Sequence, residues 1–130
     1  MTTPKNNVAG WFEIPVANMD RAVKFYETVF DFKLQREKMG ELDMAWFPWN
    51  MEAYGSAGSL VYHPDFYKPS SDGVVLYLTA NSGDVTTELS RVEAAGGKVV
   101  MEKKQISEEH GYMGIFLDSE GNRMALHSRK

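Results

Sequence analysis

The chain has 130 residues, no cysteine and a formal net charge of −4 at pH 7, with 43% hydrophobic and 25% charged residues. That suffices for one hydrophobic core and not for two, while the missing cysteines exclude disulfides, thiolate metal sites and a cysteine nucleophile. Charges of both signs are interspersed without a lysine–arginine cluster, which argues against nucleic acid or an anionic membrane as partner; no run of about eighteen apolar residues predicts a membrane span, residues 1–7 lack a signal-peptide core, and a cytoplasmic protein is expected.

Trp11, Glu13 and Pro15 fall on one side of an extended segment and Phe12, Ile14 and Val16 on the other, so the segment predicts a strand with one uniformly apolar face. Asn18 is a good N-cap, Asp20 puts a negative charge in the first turn, and Met19, Ala22, Val23, Tyr26, Val29 and Phe30 recur at helical spacing. The helix they predict packs on the Phe12, Ile14 and Val16 side and leaves Trp11 and Glu13 facing away from it. Asp31 follows as a left-handed stop. Lys33 to Met39 and Leu42 to Pro48 predict a hairpin turned at Gly40-Glu41, Asn50 to Ala57 a loop, and Gly58 to Tyr62 a short strand.

His63 to Gly73 carries two prolines, two serines and a glycine, the composition of a linker. The plan then repeats. Val74 to Thr79 predicts a strand, Asp84 caps a helix whose Val85, Leu89 and Val92 form the buried stripe, and Gly96-Gly97 ends it. Lys98 to Glu102, Gly111 to Leu117 and Asn122 to Ser128 predict three more strands, the last two joined by a type I turn at Asp118-Ser-Glu-Gly121. The chain is expected to be one domain, residues 1–130, with module one at about 8–63, a linker at 64–73 and module two at about 74–128. The two modules share a pattern rather than an identity.

Two strand-helix-strand-strand-strand modules, with Asp20-Arg21-Ala22 and Phe25-Tyr26-Glu27 in the first and Ala94-Ala95-Gly96-Gly97-Lys98 and Asp118-Ser-Glu-Gly121-Asn122 in the second, resemble the vicinal oxygen chelate superfamily. That superfamily includes glyoxalase I, bleomycin-resistance proteins and extradiol dioxygenases. The resemblance covers roughly residues 8 to 128, and Trp11 to Val16 and Gly121 to His127 look most like a glyoxalase-related branch. It implies an α+β fold, a curled eight-stranded mixed-sheet cup with helices outside and a small-molecule cavity inside, and association as a homodimer. Metal-dependent members place His or Glu on the inward face of the first and fourth strands of each module. The resemblance puts Trp11, Ser59, Val74 and Ala125 at those four positions. Trp, Val and Ala offer no lone pair, and one serine hydroxyl cannot hold Zn²⁺, Ni²⁺ or Fe²⁺, so no metal or other cofactor is expected.

Period 2 carries the inward face on to Glu13, next along from Trp11, and to His127, next along from Ala125. A carboxylate set among aromatic rings is desolvated, which raises its pKa and suits it to proton transfer. The competing reading pairs Glu13 with a neighbour such as Arg123 and makes His127 a hydrogen-bonded strand-end histidine. His63 reads as a linker residue and His110 as part of a solvated loop. Glu13, His63 and His127 are acceptable ligand types for a displaced metal site, although their spacing makes no motif. Trp46, Trp49, Tyr54, Met44, Met51 and Met113 supply aromatic and thioether surface suited to a cavity wall or a dimer interface. Two functions stay open. One is a binding protein for an organic metabolite, with Trp11, Trp46, Ser59, Val74 and Ala125 lining a metal-free pocket. The other is a lyase- or isomerase-type enzyme that uses Glu13 and His127 as an acid–base pair or as part of a displaced metal site.

Overall fold

The computed structural model describes residues 2–130. Module one comprises β1 (Phe12–Pro15), α1 (Met19–Phe30), β2 (Gln35–Met39), β3 (Leu42–Trp46) and β4 (Gly58–Tyr62). Module two comprises β5 (Leu76–Thr79), α2 (Val85–Val92), β6 (Lys98–Ser107), β7 (Gly111–Leu117) and β8 (Arg123–Ser128). The α+β class and all eight strands are as expected. They form two four-stranded mixed sheets, ordered β1-β4-β3-β2 and β5-β8-β7-β6. In each, the first strand runs parallel to the fourth and the other pairs are antiparallel. No strand of one sheet comes within 8 Å of a strand of the other, measured between Cα atoms. The cup is therefore in two halves, held together by other means.

Local chemistry accounts for the helices. Asn18 Oδ1 accepts from the Arg21 amide at 3.0 Å, and Asp31 adopts the left-handed conformation (φ 58°, ψ 50°) while its amide reaches Glu27 O at 3.0 Å. Asp84 caps α2 through the Thr86 amide at 2.9 Å. Glu88 is fully buried in α2, which is tolerable because its carboxylate accepts from the Ser82 amide and hydroxyl at 2.9 and 2.7 Å.

Some sequence expectations shift. On α1, Phe25 is buried and Val23 only partly so, because the helix has a second neighbour: the Phe25 ring lies 5.9 Å from Phe116 of module two. β5 begins at Leu76 rather than Val74, and β6 runs on to Ser107, with register shifts against β7 that let it curve. β3 ends at Trp46 and β2 starts at Gln35.

The modules meet at the β7–β8 turn and along the helices. Glu120 Oε1 accepts from the Ala17 and Asn18 amides, both at 2.8 Å, and Arg21 Nε donates to Oε2 at 2.8 Å. A carboxylate from module two thus neutralises the N-terminus of α1. Asp118 Oδ2 accepts from the Tyr26 hydroxyl at 2.6 Å, and Asn122 Nδ2 donates to Pro15 O at 2.8 Å. At the helix contact, Gly97 leaves room for Phe25, whose ring would lie 2.7 Å from any Cβ there.

These groups titrate in opposite directions. Burial alone would raise the Glu120 carboxyl, but hydrogen bonds from Arg21, the Asn18 amide, Ser119 and the Ala17 amide outweigh it and bring it down to about 2. Burial raises Asp118, only partly offset by Tyr26 and Asn122. Burial, followed by the charge of Asp118, holds the Tyr26 phenol well above its usual range and keeps it a donor. Glu120 has a depressed pKa, so its contribution is complete above the ordinary value of 4.5 and lost as pH falls toward about 2. We expect Glu120→Gln to cost about 2 kcal/mol at pH 7, discounted because Arg21 is half exposed. In denaturant unfolding, its deficit against wild type should shrink between pH 4.5 and 2. A deficit that does not change with pH would mean that the charge of Glu120 plays no part.

Candidate functional site

The face of the first sheet turned away from α1 is set by the register. Ser59 lies opposite both Glu13 and Trp46, and Val61 opposite Pro15 and Met44. The alternate residues Ile14, Leu60 and Ala45 enter the main core under α1. Trp11 continues the Glu13 face and sets its ring edge-to-face on Trp46, with centroids 5.0 Å apart. Glu13 Oε1 accepts from the Tyr67 hydroxyl at 2.6 Å, and Trp11 Nε1 donates to Oε2 at 3.4 Å. The bond to Glu13 raises the pKa of Tyr67 and holds it as a phenol. The linker is thereby tied to β1.

Two polar atoms on this face have no partner among the described residues. Ser59 Oγ and Trp46 Nε1 are both buried and neither makes a hydrogen bond, although they belong to register neighbours. Ser59 as a whole is fully buried. Buried polar atoms are nearly always satisfied in folded proteins, so these two exceptions on register-neighbour residues single out this face for attention. Arg123 Nε is likewise unpartnered, but that guanidinium donates through Nη2 to Gly73 O at 2.9 Å.

The structure thus brings together Trp11, Glu13, Trp46 and Ser59, and adds Tyr67, which sits in the non-periodic linker and leaves no sequence signal. Ala125 and His127 occupy the helix-free face of the other sheet, opposite Tyr77 and Thr79 respectively. His127 Nε2 lies 2.5 Å from His110 O; a carbonyl only accepts, so Nε2 carries the proton. Glu13 and His127 share no hydrogen bond. Glu13 is exposed rather than desolvated, and its partner is Tyr67 and not Arg123. Val74 is 97% exposed and precedes β5. Because Tyr77 opposite Ala125 corresponds to Glu13 opposite Ser59, the counterpart of Trp11 is Val75, one residue along, and a one-residue slip reverses the face.

His63 departs from its reading as an ordinary linker residue. It is buried, accepts from the Asp65 amide through Nδ1 at 3.1 Å, and lies against Phe66 with the rings tilted by 37° and centroids 4.9 Å apart. Among the described residues no three of His, Cys, Asp and Glu are grouped to hold a metal ion, so Glu13, His63 and His127 do not assemble a displaced site. Trp11, Ser59, Val75 and Ala125 do not fit a divalent cation either. A cavity of about 920 Å³ opens elsewhere, between residues 47–57 and β5; Trp49, Met51 and Tyr54 line it, whereas Met44, Trp46 and Met113 do not.

A family model described as the Glyoxalase/Bleomycin resistance protein/Dioxygenase superfamily matches residues 8–126. Among solved structures, glyoxalase I from Zea mays is similar at 19% identity with a TM-score of 0.64, over 92% of this chain and 45% of that one. The chain therefore spans less than half of that protein. A glyoxylase/bleomycin resistance protein/dioxygenase domain from Frankia sp. EAN1pec is similar at 15% identity and a TM-score of 0.71, over 98% of this chain and all of that one. TnmS3, an antibiotic binding protein from Streptomyces sp. CB03234, is similar at 20% identity and a TM-score of 0.63, with 98% and 100% covered. At these identities the likeness shows the fold alone. No curated protein matches the chain.

Removing the unpaired hydroxyl should relieve a desolvation cost. We expect Ser59→Ala to raise the unfolding free energy of the ligand-free protein by about 1 kcal/mol. A fall in stability in chemical denaturation would mean that the hydroxyl has a partner in solution.

Proposed function

The chain belongs to the glyoxalase/bleomycin resistance protein/dioxygenase superfamily, and on that premise we propose that it binds a small organic molecule on the helix-free face of its first sheet, without a resident metal. The observation that carries this is the adjacent pair of unpartnered donors, Ser59 Oγ and Trp46 Nε1. Both donors are covered in the ligand-free chain, so a ligand carbonyl would pair with either once the side chains over them move; Trp11 would supply an aromatic wall, and Glu13 would take a ligand donor once the bond to Tyr67 opens. The antibiotic binding of TnmS3 is a precedent within the same fold for binding as a function. Metal-free binding follows from the residue types at the superfamily's ligand positions. A cytoplasmic setting, in keeping with a cysteine-free chain, belongs to the same proposal.

We also propose a homodimer. The strands of the two sheets stay more than 8 Å apart between Cα atoms, and a second copy would supply Tyr77, Ala125 and His127 opposite Trp11 and Ser59 to close the pocket.

Screening metabolites by tryptophan fluorescence tests the binding. A hit should lose about tenfold or more in affinity in Ser59→Ala and Trp46→Phe, since each removes a buried hydrogen bond. Elemental analysis should return well under one Zn, Ni or Fe per chain, and a stoichiometric metal would overturn the metal-free reading. Light scattering at micromolar concentration should give twice the 14.7 kDa chain mass; a monomer mass would remove the dimer.

A further inference from the structure

None of Trp11, Glu13, Trp46 and Ser59 lines the cavity of about 920 Å³ between residues 47–57 and β5; of the residues placed at the first-sheet site, only Tyr77, which the proposed second copy would bring there, also lines it. It occupies the gap left because β1 and β5 form no ladder. Its apolar wall is a run of touching rings, with Phe12 and Phe47 at 5.6 Å, Phe32 and Phe47 at 5.9 Å, and Phe30 and Phe32 at 5.3 Å between centroids. Gly58 lets this wall form, because any Cβ at that position would run into the Phe12 ring. On the solvent side Trp49, Tyr54 and Tyr77 stand 58%, 101% and 51% exposed.

The chemistry of the lining is selective. Although a quarter of the chain is charged, among the described residues no Asp, Glu, Lys, Arg or His lines the cavity. A smaller depression of about 330 Å³ on α1 shows the contrast, being lined by Asp20, Lys24, Glu27, Lys33 and Arg36. The polar groups in the larger cavity are neutral, chiefly the amides of Asn6, Asn7, Asn50 and Asn81, which donate and accept without charge. An ionised ligand entering would give up hydration and find no counter-charge. A flat ring system would find rings to stack on and amides for its polar edge. The volume falls in the range of small-molecule sites.

We propose that this cleft is a second binding site, for an uncharged planar aromatic molecule.

The test titrates the full chain with the neutral fluorophore N-phenyl-1-naphthylamine and, separately, with its anionic relative 8-anilino-1-naphthalenesulfonate. The neutral dye should bind at one site per chain, and the anionic dye about tenfold more weakly because its sulfonate meets no cation. Trp49→Ala and Tyr54→Ala, which remove exposed rings, should each weaken the neutral dye about fivefold, while their melting temperatures confirm folding. Ser59→Ala should leave dye binding unchanged, so failure of the first-sheet site and failure of the cleft give different results. No binding of the neutral dye, equal or tighter binding of the anionic one, sensitivity to Ser59→Ala but not to the Trp49 and Tyr54 variants, or a dimer that buries Trp49 and Tyr54 would each overturn the proposal.

Discussion

The turn from Asp118 to Asn122 holds the two modules together, and the placement of both candidate sites depends on it. The Asp118 carboxylate accepts four hydrogen bonds, from the Tyr26 hydroxyl, the Asn122 side chain, and the Glu120 and Asn122 amides. That satisfies a largely buried carboxylate and shapes the turn that presents Glu120. Glu120 then occupies the place where α1 has free backbone donors and a positive dipole end, satisfying amides that solvent would otherwise have to reach. The contact is a cap supplied from about a hundred residues away in the chain. It combines what a capping side chain does locally with what a domain interface does globally.

Joining the modules at that end has a geometric consequence. Pro15 is bound to Asn122, Phe25 packs on Phe116 and Arg91 donates to Val29 O at 2.9 Å, so the inter-module contacts gather around α1 and the far end of β1. Nothing draws the β1 and β5 edges into a ladder, and the space between them becomes the neutral cleft. The architecture thus offers two surfaces of different character: a face with unpaired donors and one exposed carboxylate, and a cleft of rings and amides without charge.

Stability and function pull apart on the first sheet. Most buried polar groups in this protein find partners, including those that look hazardous in isolation, such as Glu88 with Ser82 and Asp118 with Tyr26. Against that background Ser59 and Trp46 are exceptions that the fold tolerates at a cost. Tyr67 adds a closure, because its bond to Glu13 ties the linker to β1 of the same sheet.

The sequence by itself determined whatever depends on near neighbours. The alternation of Trp11 and Glu13 against Ile14 and Val16, the caps at Asn18, Asp84 and Asp31, and the Asp118 turn are all readable because periods of 2 and 3.6 and capping bonds act over a few residues. The face carrying Trp11, Glu13 and Ser59 was legible for that reason. Tertiary structure alone decided the rest. Phe25 displaced Val23 from the buried stripe because module two lies beside α1, and Glu13 proved exposed, with the Tyr67 hydroxyl of the linker as a partner. Val74 missed its face by one residue because a strand's start is set by pairing with β8 rather than by its own composition. The clamp through Glu120, the unpaired state of Ser59 and Trp46, and the charge-free cleft depend on which distant groups meet, and no local pattern encodes a contact between residues a hundred positions apart.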